Sequence, residues 1–232
     1  MLSADWVRIS SSSSLHAMPK LNLKPKSKPK PKLKLFGISA SPRIAATDWI
    51  VRTGLGYAMD NWSAETRYFS VHGKKLNFCI HCDHCIKEGE CIHNDAMNEV
   101  YSGFEWADAI LIGTPVYQGT LSGQAKVIMD RMRAFVARKP HALRGKLGAV
   151  VADGGDRIGG QELAIRSIHD FYLINEMIPV GGGAFGANLG ATFWSKDKGA
   201  DGVRADEEGL KSLYRTIDRL VEVYLLIKLK RH

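Results

Sequence analysis

Strand-like runs alternate with segments of helical periodicity from residue 33 to residue 227, and this alternation constrains the fold more than any other feature of the chain. Residues 33–38, 65–70, 109–113, 146–152 and 178–181 read as strands. Between them 47–59, 95–107, 122–137 and 161–175 have helical spacing, and a helix over 206–227 closes the pattern. The 122–137 segment places Ala125, Ile128, Met129, Met132, Phe135 and Val136 on one face, with Ser122 as its N-cap. The closing helix opens on Asp206, Glu207 and Glu208 and is followed by Lys228, Lys230 and Arg231, as the helix dipole favours. Its face of Leu210, Leu213, Ile217, Leu220, Val221 and Tyr224 must pack on a sheet. Five strands separated by helices predict an α/β fold built on a doubly wound, five-stranded parallel sheet. Ligands of such sheets bind at the carboxyl ends of the strands, near the point where strand order reverses.

With 232 residues, 45% of them hydrophobic and 24% charged, the chain can bury a core without disulfides. Its formal charge is +8, but residues 1–34 hold Arg8 and seven lysines against Asp5 alone. That segment nets +7 and leaves +1 for the rest, so the body carries no electrostatic footprint for DNA, and nucleic acid is not an expected partner. A serine run at 10–14 and alternating Lys and Pro over 24–34 predict a disordered arm over 1–32, ahead of a folded domain over 33–232. Met18 offers an alternative start within that arm. No secretory apolar stretch and no run approaching about 18 apolar residues is present, so the expectation is a cytoplasmic protein without membrane contact.

Three loops fall at the predicted strand ends. The first strand runs into Gly37-Ile38-Ser39-Ala40-Ser41-Pro42-Arg43, with Thr47 where a helix begins. Small hydroxyls, a cation and helix-start amides suit a phosphate, although Ser39, Ser41 and Thr47 would also serve as simple helix caps. Neither G-x-G-x-x-G nor a P-loop lysine motif is present, which favours a monophosphate over a dinucleotide or triphosphate. After the third strand come Thr114, Pro115, Val116, Tyr117 and Gly119, where the proline stiffens the turn and the tyrosine is placed to border a flat ring. After the fourth come Gly154, Gly155, Arg157, Gly159 and Gly160, whose glycines free the backbone to approach a ring edge; a merely flexible loop is the plainer alternative. Together these loops resemble the FMN-binding site of the NAD(P)H-dependent FMN reductase family, a flavodoxin-like group, over roughly residues 34–225. The resemblance implies that Ser39, Ser41, Arg43 and Thr47 hold the FMN phosphate and that the other two loops flank the ribityl chain and the ring. Relatives usually carry Asn where this chain has Ala46.

All four cysteines, Cys79, Cys82, Cys85 and Cys91, fall within thirteen residues as C-x2-C-x2-C-x5-C, inside an insertion at about 71–95. Disulfides at two-residue spacing would be strained and suit an oxidising compartment. Structural zinc usually takes two C-x2-C pairs separated by a longer loop, whereas three cysteines at consecutive spacing favour an iron-sulfur cube. His81, His84 and His93 lie beside them and are read as neighbours of the ligands. This motif on a flavin scaffold resembles the iron-sulfur flavoprotein family, a match that Asp95, Met97, the 159–162 run and the 177–181 run extend. The resemblance implies a [4Fe-4S] cluster on Cys79, Cys82, Cys85 and Cys91, and a homodimer or homotetramer in which one subunit's cluster approaches a neighbour's FMN.

No acid-base constellation of Ser, His and carboxylate is evident at the strand ends, which leaves the chemistry to cofactors. The expected function is an FMN-dependent oxidoreductase that transfers electrons between the cluster and FMN, linking a ferredoxin-like donor to an acceptor. Direct oxidation of NAD(P)H is the alternative within that class. A zinc-stabilised flavodoxin-like binding module, tethered by its basic arm, is the alternative outside it.

Overall fold

The computed structural model describes residues 32–229, so the arm expected over 1–32 and the alternative start at Met18 fall almost wholly outside the described residues. Within that span the strands are β1 (Lys34–Ser39), β2 (Glu65–Ser70), β3 (Ala109–Pro115), β4 (Leu147–Gly154), β5 (Ile178–Pro179) and β6 (Ala191–Trp194). The helices are α1 (Ala46–Trp62), α2 (His84–Glu88), α3 (Met97–Trp106), α4 (Gly123–Arg138), α5 (Gln161–Ile174), α6 (Gly199–Arg204) and α7 (Glu207–Leu229). Every strand pairing is parallel, in the order β2-β1-β3-β4-β5, with β6 also on β4.

The doubly wound parallel sheet is as expected, but its outer edge differs. Five strand positions hold six strands, because β5 pairs with Leu147 and Gly148 at the start of β4 while β6 pairs with Val151 to Gly154 at its end. The strand expected over 178–181 therefore stops at Pro179, and the chain leaves the sheet and returns to it as β6. Residues 191–194 alternate buried and half-buried, the signature of a strand with one face on a core, yet the Gly-rich stretch before them masks it.

β3 and β4 are buried along their whole length, as central strands of a parallel sheet must be. On one face Phe36, Ile38, Ile110, Ile112 and Val150 pack with Val100 and Phe104 of α3, Ile128, Met132 and Phe135 of α4, and Ile168 and Tyr172 of α5. On the other Leu35, Leu111, Ala149 and Val151 pack with Ile50 and Leu55 of α1 and with Leu213, Ile217, Leu220 and Tyr224 of α7. Ser122 caps α4 as expected, its Oγ accepting from the Ala125 amide at 3.1 Å. Strand order reverses between β1 and β3, so the carboxyl ends of β1, β3 and β4 form one corner of the sheet.

Candidate flavin and cluster site

At the end of β1, Ser39 and Ser41 are buried. The Ser41 Oγ accepts from the Arg43 amide at 3.2 Å, which closes the turn, and Arg43 itself is exposed. The Ser39 Oγ is buried without a hydrogen-bond partner. None of these residues caps α1: the helix starts after Ala45 with no side-chain cap, leaving its first amides unclaimed by side chains. Thr47 lies in the first turn of α1 and donates its hydroxyl to the Asp153 Oδ1 at 2.6 Å. Burial pushes the Asp153 carboxyl up to about 6, against the downward pull of the Thr47 hydrogen bond and of the Arg43 charge.

The loop after β3 folds on itself. The Tyr117 amide donates to the Thr120 carbonyl at 2.9 Å and the Thr120 amide returns the bond at 3.3 Å. Gln118 and Gly119 between them have φ of 50° and 84°, the two left-handed residues of a tight hairpin turn. Thr114 does not face outward: its hydroxyl accepts from the Ser122 amide at 3.0 Å and donates to the Pro115 carbonyl at 3.0 Å, inside the loop. The glycine loop after β4 meets this turn. Gly160 has φ of 116°, and a Cβ there would stand 2.1 Å from the Gly119 carbonyl oxygen, so only glycine permits the two loops to touch. Behind them the Gly154 carbonyl accepts from the Ser195 amide and hydroxyl at 2.8 and 3.0 Å, and the Gly155 carbonyl accepts from the Trp194 Nε1 at 2.8 Å. The Arg157 guanidinium lies 4.9 Å from the centre of the Trp194 ring, at the edge of a cavity of about 600 Å³.

The cysteines occupy the segment between β2 and α3, Cys85 on the short α2 and the others on irregular backbone. His81 and Asp83, which alternate with the cysteines, have φ of 53° and 57°. Cys79 and Cys82 are exposed, whereas Cys85 and Cys91 are half-buried against the core. Burial pushes the Cys85 thiol up; Arg133 opposes this, while Cys91 and Cys79 add to it. Arg133 also donates to the Asp83 Oδ1 at 2.6 Å. Among the described residues no three His, Cys, Asp or Glu side chains converge on a single-ion site.

Residues 33–192 match the NADPH-dependent FMN reductase family. An iron-sulfur flavoprotein of Methanocaldococcus jannaschii is 60% identical over 82% of this chain and 96% of its own. Another, from Archaeoglobus fulgidus, is 49% identical over 82% of this chain and 96% of its own. The chain belongs to the iron-sulfur flavoprotein family, within the FMN reductases. It is accordingly an FMN-dependent oxidoreductase. The solved structure of a WrbA-like flavodoxin from Agrobacterium tumefaciens shares the fold, with a TM-score of 0.58 at 15% identity over 83% of this chain and 97% of its own.

Two parts of this iron-sulfur flavoprotein's corner escape a reading of motifs. Asp153 extends the apolar run of β4 by one charged residue, a break in pattern that marks it. Arg131 gives no such signal, since a cation on a helix is ordinarily solvated; only the tertiary fold places it at the base of the cysteine segment, where it pairs with Asp95.

Proposed function

We infer that this chain is an electron-transfer flavoprotein, holding FMN at the β1, β3 and β4 loops and a [4Fe-4S] cluster on Cys79, Cys82, Cys85 and Cys91, and linking a ferredoxin-like donor to an acceptor. FMN exchanges electrons singly or in pairs and an iron-sulfur cube exchanges them singly, so the combination suits a converter between the two kinds of partner.

The single observation that carries the flavin half is the unpartnered, buried Ser39 hydroxyl beside the uncapped start of α1. A buried polar group without a partner costs about 1–3 kcal/mol, and an anion at this place would satisfy it together with the helix amides. Ser39, Ser41, Arg43 and Thr47 would hold the phosphate, with Pro115, Val116, Tyr117 and Gly119 on one side of the ring and Gly154, Gly155, Arg157, Gly159 and Gly160 on the other. Thr114 would act through the loop it fastens. The cavity beside Arg157 and Gly160 has the size of a small-molecule site and offers room for an acceptor.

The cluster half is supported by the donor set and its spread. Four cysteines on one segment, three of them at consecutive two-residue spacing, suit a four-iron body better than one zinc, which usually takes two C-x2-C pairs separated by a longer loop. Phe78, Ile80, Ile86 and Ile92 interleave with the cysteines and are exposed, Phe78 at 73%. Apolar groups so placed favour an assembly in which a second subunit covers the segment, in keeping with a homodimer or homotetramer. Among the described residues no helix is long and apolar enough to cross a membrane.

Rapid mixing without oxygen tests the donor. Reduced ferredoxin should bleach the iron-sulfur and flavin absorbance of the protein faster than NADPH does. The reverse order would favour direct NADPH oxidation, the reading that the family match supports as second choice.

A further inference from the structure

The hydroxyl of Thr47 has one proton and two claims on it. It donates to the Asp153 Oδ1 at 2.6 Å, and a phosphate at the first loop needs the same proton. A hydroxyl cannot donate twice, and losing this bond would leave a carboxylate that is only 6% exposed without its donor, beside an anion.

Asp153 reaches this place through register. Along β4, Leu147, Ala149 and Val151 point to the face packed by α1, and period-two alternation sends Asp153 the same way. On β1 the same alternation, from Leu35, aims Ser39 at that face. Ser39, Thr47 and Asp153 thus lie on one side of the sheet, at the carboxyl ends of β1 and β4 and the start of α1. In register beside Asp153 stand Pro115 of β3 and Phe193 of β6, neither of them charged. In α1 the Asp48 carboxylate is taken up by Arg52 and Tyr68. Asp156 and Arg157 follow on the β4–α5 loop, and Lys196 and Asp197 follow β6; the charge that acts on Asp153 is Arg43, from the β1–α1 loop.

We propose that Asp153 makes FMN binding proton-linked: one proton is taken up at its carboxyl as the phosphate enters, the Asp153–Thr47 hydrogen bond reverses, and Thr47 donates to the phosphate. The exchange balances. The protonated carboxyl donates to the Thr47 Oγ1, the Thr47 proton turns to a phosphate oxygen, and solvent supplies one proton for each FMN bound. Arg43 neutralises part of the incoming charge but carries no exchangeable proton in this range. The proposal rests on the phosphate-loop assignment made above.

The test is the dissociation constant of FMN, and of riboflavin, which lacks the phosphate, on full-length protein freed of its flavin, from about pH 6.5 to 8.5. This window lies above the second ionisation of a phosphate, near 6. FMN should weaken about tenfold per pH unit and riboflavin should stay flat. In Asp153→Asn the side-chain amide donates to Thr47 permanently, so the FMN slope should vanish and binding at pH 8.5 should be at least about tenfold tighter than in the parent. Calorimetry of the parent in buffers of different ionisation enthalpy needs no variant and should read about one proton taken up per FMN near pH 7.5. A slope unchanged in Asp153→Asn, a riboflavin slope equal to that of FMN, or no proton uptake overturns the proposal. Equal affinity for FMN and riboflavin at every pH would instead overturn the phosphate-loop assignment, and the proposal with it.

Discussion

Arg131 and Asp95 form a two-pronged ion pair inside the protein, with Nη1 2.9 Å from Oδ2 and Nη2 3.2 Å from Oδ1, and each side chain is 1% exposed. The same guanidinium donates to the Asn77 carbonyl at 2.7 Å and to the His93 carbonyl at 3.4 Å. Asp95 in turn accepts from the amide and the side chain of Asn77, each at 2.9 Å. Asn77 precedes Cys79 by two residues and His93 follows Cys91 by two, so one cation on α4 fastens both ends of the cysteine segment.

Removing that cation should cost more than the packing of one side chain. Arg131→Met leaves Asp95 charged, buried and without its partner, a change worth about 3–5 kcal/mol. Chemical denaturation should show the loss, and the purified variant should carry less iron than the parent. Arg131→Lys keeps the charge but not the fork, and should recover only part of either.

The two buried carboxyls respond to pH in opposite senses. Burial raises Asp95, but the Arg131 hydrogen bonds and the Asn77 and Met97 amides outweigh it and hold the carboxyl well below the usual range. Its contribution to stability is complete above the unfolded value near 3.9 and disappears as pH falls through the folded one. The parent should therefore keep this pair in mild acid, and Arg131→Met should lose the corresponding resistance to acid unfolding.

Asp153 is raised instead, from 3.8 to about 6. Between those values the folded state binds more protons than the unfolded one, so stability falls as pH rises through the window. In flavin-free protein, Asp153→Asn should stabilise by about 3 kcal/mol at pH 8 and by close to nothing below pH 4. Urea titrations at the two pH values measure the difference. Equal effects at both would show that Asp153 is not titrating in the fold.

Gly160→Ala should separate the loops that follow β3 and β4. A methyl group there meets the Gly119 carbonyl at 2.1 Å, on a backbone whose φ of 116° already excludes other residues. The expected cost is about 1–3 kcal/mol together with weaker flavin retention, read from thermal melting and from the flavin-to-protein ratio after gel filtration. A Cβ at Gly119 itself meets no protein atom within 4 Å, so its substitution strains the turn's left-handed backbone without a clash between the loops.

Much of this architecture was legible in the sequence, because periodicity reports burial and burial organises a parallel sheet. The runs that became β1, β3 and β4 and the faces of α4 and α7 follow from spacing alone. The divided edge did not, since β5 has two residues and β6 four, too few for a period to stand out beside glycine-rich neighbours. Thr114 enters the sequence reading as the first residue of the loop that the family resemblance sets beside the flavin; that the Ser122 amide and the Pro115 carbonyl engage its hydroxyl depends on how the loop closes. Arg131 and Asp95 lie 36 positions apart, and no local pattern couples them. Long-range polar pairs of this kind are a property of the folded chain.

The most direct test of the account is the metal, sulfide and flavin content of full-length protein purified without oxygen. About four irons, four acid-labile sulfides and one FMN per chain are expected, with iron and sulfide lost and FMN kept in Cys82→Ser. Zinc in place of iron, or full iron and sulfide in that variant, would contradict it.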